Sequence, residues 1–143
     1  MSSTSRLPMP RRAAIAAKVA GLGFVLPASQ AIADGDTPAQ ALKLGDNGVG
    51  YWGDDTTSTT VPMCALPRDD WLTKWGKGSA ARGKGVLVTY KGKTVAAQLR
   101  DTMPSHANIK NGAGIDLNPG LVDAFGLKYG GMYPGFHWDW ANT

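Results

Sequence analysis

The 143-residue sequence has a single cysteine, two histidines and no glutamate at all. With Cys64 alone, no intramolecular disulfide can form, so the folded domain must draw its stability from its core. A thiol nucleophile would need a base beside it, and a lone cysteine is more simply a small apolar core residue. His106 and His137 stand without further ligands at metal-binding spacing, which excludes a zinc site of the usual kind. The 11 acids are all aspartates, a residue that suits turns and caps more than helix interiors. No phosphate-cradling loop is present, because "GKGSAARGKG" lacks the strand-then-helix setting such a loop requires. There is no defensible Ser/His/Asp constellation, no internal repeat and no residue pattern that calls for a cofactor.

Long hydrophobic runs are missing too. The longest apolar stretch, "AAIAAKVAGLGFVL" (13–26), is interrupted by Lys18 and is too short to span a bilayer, so no stable membrane anchor is expected. It follows Arg6, Arg11 and Arg12 and precedes "AIA" at 31–33. Basic, apolar and small-residue regions in that order describe a signal peptide covering 1–33, and predict a secreted or periplasmic protein. The leader holds Arg6, Arg11, Arg12 and Lys18, four of the 15 basic residues, which leaves 11 against 11 acids. The formal charge of +4 is therefore a property of the leader, and no nucleic-acid partner is implied.

What remains reads as short strands and glycine turns. Residues 34–46 suggest a flexible mature N-terminus, and the domain is expected over 47–143. "VGYWG" (49–53) suits a first strand, and "DDTTSTTVP" a polar loop without core residues. "MCALPRDDWLTKWGKG" (63–78) begins as a strand and continues as a short helix capped by Asp69 or Asp70, with Trp71, Leu72 and Trp75 at helical spacing. "GVLVTYKGKTVAAQLRD" alternates on both sides of "KGK" and predicts an antiparallel hairpin ending at Asp101. After a loop, "IDL" is a short strand. "NPGLVDAFG" has Asn118 as N-cap and Pro119 at the first helical position. Phe136, Trp138 and Trp140 share one face of a last strand.

The run "GKGVLVTYKGKTVAAQLRDTMP…GAGIDLNPGLVDAFGL…FHWDW" resembles the double-psi β-barrel domains: barwin-like proteins, expansins and their bacterial relatives, family 45 endoglucanases and RlpA-type lytic transglycosylases. The matching pieces are the hairpin ending in Asp101-Thr-Met-Pro104, then Ile115-Asp116-Leu117-Asn118, the helix after Pro119 and the strand His137 to Trp140. The cysteines of many barwin-like members and the "T-A-x-H" of RlpA-type proteins are absent. The resemblance implies an all-β fold, a small six-stranded double-psi barrel with one or two short helices.

It also implies a site. Asp101 is the candidate catalytic residue, an acid at the barrel rim that would meet sugar hydroxyls or, with a raised pKa, protonate a glycosidic oxygen. The alternative is that Asp101 caps its loop through backbone N–H groups near Met103. Asp116 is expected to be structural, hydrogen-bonded to backbone in the psi motif. Tyr51, Trp52 and Tyr133 are candidates for a groove in which aromatic rings stack on sugar faces, and His106 for a ligand contact or proton transfer. One confident carboxylate is short of the two that a glycosidase uses. Two functions follow. The first is a secreted protein that binds or modifies cell-wall polysaccharide, peptidoglycan or cellulose; if an enzyme, it is a peptidoglycan lytic transglycosylase or glycoside hydrolase with Asp101 as general acid. The alternative is a barwin-like inhibitor of a secreted protease, or an effector, acting through loops 54–62 and 102–114 without catalysis.

Overall fold

The structure, a computed structural model, describes residues 36–42, 44, 45 and 48–141; the expected leader 1–33 lies outside them. Six strands run β1 (Thr37–Ala41), β2 (Met63–Pro67), β3 (Gly85–Tyr90), β4 (Lys93–Met103), β5 (Ile115–Leu117) and β6 (Met132–Trp140). Two helices, α1 (Arg68–Trp75) and α2 (Pro119–Ala124), and a turn of 3-10 helix at His106–Asn108 lie between them. The strands close into a barrel in the order β1-β5-β2-β4-β3-β6. The pairs β1/β5 and β2/β4 are parallel and the others antiparallel. This is a small all-β double-psi barrel, and closure leaves it without an open edge.

The hairpin is where local chemistry speaks most plainly. Tyr90 pairs with Lys93, and the two residues between them, Lys91 and Gly92, both have positive φ, 48° and 81°. That is the turn whose twist matches paired strands, and it is why glycine follows Lys91. Val86, Val88, Val95, Ala97 and Leu99 then point inward together with Ile115, Leu117, Phe136, Cys64 and Leu66 in one core. Trp138 and Trp140 stand opposite Val88 and Val86 on β3 and pack partly buried against that core. Trp75 of α1 meets Trp140 edge-on at 5.6 Å, so these indoles close one end of the barrel.

Four expectations are corrected. Residues 37–41, read as part of a flexible terminus, form β1, the strand that closes the barrel between β5 and β6; Ala39 and Ala41 are fully buried, and a five-residue strand of small residues carries little pattern of its own. "VGYWG" is not a strand: Val49 and Asp55 make an isolated bridge around a turn. β4 does not end at Asp101 but continues to Met103, paired with β2 as far as Pro67. Neither Asp69 nor Asp70 caps α1, whose N-cap is Pro67; both lie in its first turn, where their charge still suits the helix dipole. Among the described residues, no helix is long and apolar enough to cross a membrane, and no group of three or more His, Cys, Asp or Glu could hold a metal ion.

Candidate functional site

Strand alternation alone would send Asp101 to the same side as Leu99, which is fully buried in the barrel. It does not go there. The register of β2 on β4 steps from Cys64↔Leu99 to Ala65↔Asp101, so β4 carries one extra residue, Arg100. This bulge reverses the parity and turns the Asp101 side chain to the outer face beside Ala65. Ala65 is also opposite Asp116 on β5. Ile115 and Leu117 point into the core, so Asp116 points out. Two carboxylates therefore flank Ala65 on one outer face, two strand spacings or roughly 10 Å apart at the backbone.

Between them is a shallow depression lined by Thr56, Met63, Ala65, Asp101, Asp116 and Asn118, among others, with about 20 Å³ of free room. The depression is shallow and opens to solvent. Asp101 is not free within it. Its Oδ1 accepts the backbone N–H of Tyr51 at 2.9 Å and of Thr102 at 2.8 Å. The capping role is thus present, but with Thr102 and the distant Tyr51 as donors instead of the residues around Met103. These two bonds tie the 50–53 turn to β4.

Asp116 differs from its expected role. Its Oδ1 is buried and has no hydrogen-bond partner among the described residues. Burial, with the negative charge of Asp101 second, pushes its carboxyl up from 3.8 to about 6. The sequence did not reveal this pairing because Asp101 and Asp116 meet only across β2. Beside them Cys64 is buried, and burial together with the Asp116 charge pushes its thiol well up, the opposite of what a nucleophile needs.

The aromatic candidates divide into two groups. Tyr51 and Trp52 lie next to Asp101 through the Tyr51 backbone bond. Their rings meet at 5.2 Å, and both approach Trp71 of α1, at 5.9 and 5.0 Å. The Arg68 guanidinium lies 5.6 Å from both the Tyr51 and Trp71 rings. Trp71 is buried and donates its indole N–H to Thr102 Oγ1 at 2.8 Å, whereas Tyr51 is 53% exposed. Trp52 donates to the Gly78 carbonyl at 2.9 Å, which fixes its ring against the protein. Tyr133 is elsewhere. Its hydroxyl bonds the backbone of Lys128 and its ring faces Tyr90 at 6.3 Å, near the Lys93 end of β4. From there to Asp101 is roughly 25 Å of strand. A groove shared by Tyr51, Trp52 and Tyr133 is not formed.

His106 is a strap. Its backbone N–H donates to Asp69 Oδ2 and its ring Nε2 lies 3.0 Å from both Asp70 oxygens, which fastens the loop after β4 onto α1. Asp54 is engaged as well: Arg82 chelates it at 2.7 and 2.9 Å and holds its carboxyl below the usual range.

The residue that sequence reasoning undervalued is Asn118. Read as a helix cap, it is one: Oδ1 accepts the Leu121 N–H at 2.9 Å. The same oxygen accepts the Met63 N–H at 2.8 Å. Its Nδ2 donates to the carbonyls of Val61, Thr56 and Ser58 at 3.0, 3.2 and 3.2 Å. With 3% of its surface exposed, Asn118 joins β2, α2 and the 54–62 loop. That loop was expected to lack core residues, yet Thr56 and Pro62 are buried. Only the cap spacing was visible in the sequence.

No protein-family model matches this chain, and no curated protein does. Among solved structures it is similar to the Streptomyces papain inhibitor SPI, with 20% sequence identity and a TM-score of 0.51, over 83% of this chain and 96% of that one. At that identity the likeness concerns the fold, and it agrees with the barrel described above.

Proposed function

We propose that this protein is an exported inhibitor of a papain-like cysteine protease, acting through its surface loops without chemistry of its own. The carrying observation is the state of Asp101. Its carboxylate oxygen Oδ1 is occupied by the backbone N–H groups of Tyr51 and Thr102, and the Tyr51 bond fixes the 50–53 turn onto β4. An inhibitor needs a rigid frame presenting preformed loops, and a closed barrel with pinned connections supplies one. The name of the similar structure, a papain inhibitor, supplies the protease class. The test is inhibition of papain by the purified chain. Submicromolar inhibition that persists in Asp101→Asn supports the reading; absence of inhibition at high micromolar concentration refutes it.

A second reading is favoured by one observation, the Asp101/Asp116 pair. A carboxyl pushed up to about 6 beside a second carboxylate is the electrostatic arrangement of a general acid and its partner on a glycan. Here the polymer is peptidoglycan or cellulose, and the readout is mass spectrometry of products released from each. Anhydro-sugar or water-added ends that vanish in Asp101→Asn would support it; no product would refute it.

A further inference from the structure

Loop 54–62 is held at its start by Arg82 on Asp54 and by Thr56 on the Gly48 carbonyl, and over 57–62 from its inner side. The carbonyls of Thr56, Ser58 and Val61 all face inward to the Asn118 amide, and Ser58 accepts a second bond, from the Gly120 N–H at 2.9 Å. Gly120 is the position that permits this: a Cβ there would lie 2.3 Å from the Val61 carbonyl oxygen, so any other residue would push the loop off α2. Local bonds complete the brace. Asp55 Oδ1 accepts the Thr57 N–H, and Ser58 Oγ accepts those of Thr60 and Val61. On the other side, Thr57, Thr59 and Thr60 are exposed. The carbonyls of all three, and the N–H of Thr59, have no partner among the described residues.

We infer that this outward edge, Thr57 to Thr60, is the segment that enters the protease's substrate groove, an inference that rests on the inhibitor reading. The groove of a protease takes an extended chain through main-chain hydrogen bonds and small pockets for side chains. The edge offers unpaired backbone groups leading into a braced bend at Thr59 and Thr60, with small uncharged side chains, β-branched at Thr57, Thr59 and Thr60. Because the brace is already made, little conformational freedom remains to be lost on binding. The other candidate loop, expected over 102–114, begins at Pro104 because β4 runs to Met103; it is tied by exposed side chains and presents charge beside it, from Asp69, Asp70 and Lys110.

The experiment compares the full chain with Thr59→Arg, Thr57→Arg and, in the other loop, Ala107→Arg, all at exposed positions. Thermal midpoints within a few degrees of the native one verify folding. Inhibition of papain is expected to weaken about tenfold or more in Thr59→Arg and Thr57→Arg and to stay within about twofold in Ala107→Arg. Native-like inhibition by both threonine variants, or loss confined to Ala107→Arg, overturns the assignment while leaving the inhibitor reading intact. A native chain that does not inhibit papain removes both.

Discussion

Two loops of this barrel, 54–62 and 104–114, are of similar length and polarity, yet they are secured in different ways. The first is gathered by a buried amide that makes five hydrogen bonds. The second is fastened at its edges by exposed groups, His106 to Asp69 and Asp70, and Asn111 to Gln40. Beneath it Ile109 and Ala113 pack on Ala65 and Met103 in a satellite core. A hydrogen bond shielded from water costs much more to break than one that water can replace. The contrast teaches that the first loop should be the stiffer one, because its principal anchor is the buried N-cap of α2.

Asn118→Ala should break that contrast. It removes the acceptor of the Met63 and Leu121 N–H groups and the amide donor of the Val61 carbonyl, and a loss of about 3 kcal/mol is expected, read as a drop in the denaturation midpoint. Hydrogen exchange should quicken in 54–62 and not in 104–114.

The next effect belongs to Asp116. Its folded-state pKa is raised from 3.8 to about 6, so the folded chain holds the proton more tightly than the unfolded chain. The resulting stability is complete below about pH 3.8 and is lost as pH rises through about 6. Asp54 and Asp55, whose pKa values are lowered, act in the opposite sense, so the comparison must be with Asp116→Asn. That variant should gain up to about 3 kcal/mol over the native chain at pH 7 and well under about 1 kcal/mol at pH 4, measured by urea titration at both.

His106→Ala removes an exposed tie and should cost about 0.5 kcal/mol or less. A larger loss would show that the second loop is secured as firmly as the first. A comparably small effect is expected from Asp101→Asn, which retains an Oδ1 acceptor for Tyr51 and Thr102. Its stability should fall by about 0.5 kcal/mol or less, whereas Asp101→Ala frees the 50–53 turn and should also expose Trp52 to a fluorescence quencher.

How much of this was legible can be argued residue by residue. The β3–β4 hairpin was readable because alternation and a Gly-centred turn are local, and α2 because Asn118-Pro119 is a local start signal. β1 was not, since "TPAQA" becomes a strand only when β5 and β6 lie on either side of it. Asp101 was expected as a catalytic acid at the barrel rim, but its orientation depends on a bulge that appears only in the register with β2. The aromatic groove failed because Tyr51, in the turn bonded to Asp101, and Tyr133, on β6 beside Tyr90, lie by opposite ends of β4.

Chain-local facts, then, were set by the sequence alone: which runs alternate, where glycine permits a turn, which residues begin a helix, and a closed barrel through resemblance. Partnership across the barrel was decided only on folding. The coupling of Asp101 to Asp116 across Ala65, and of Asn118 to a loop some 60 positions earlier, comes from strand register and burial. Neither leaves a periodic trace in one dimension, because each is a distance in space between residues whose separation along the chain is arbitrary.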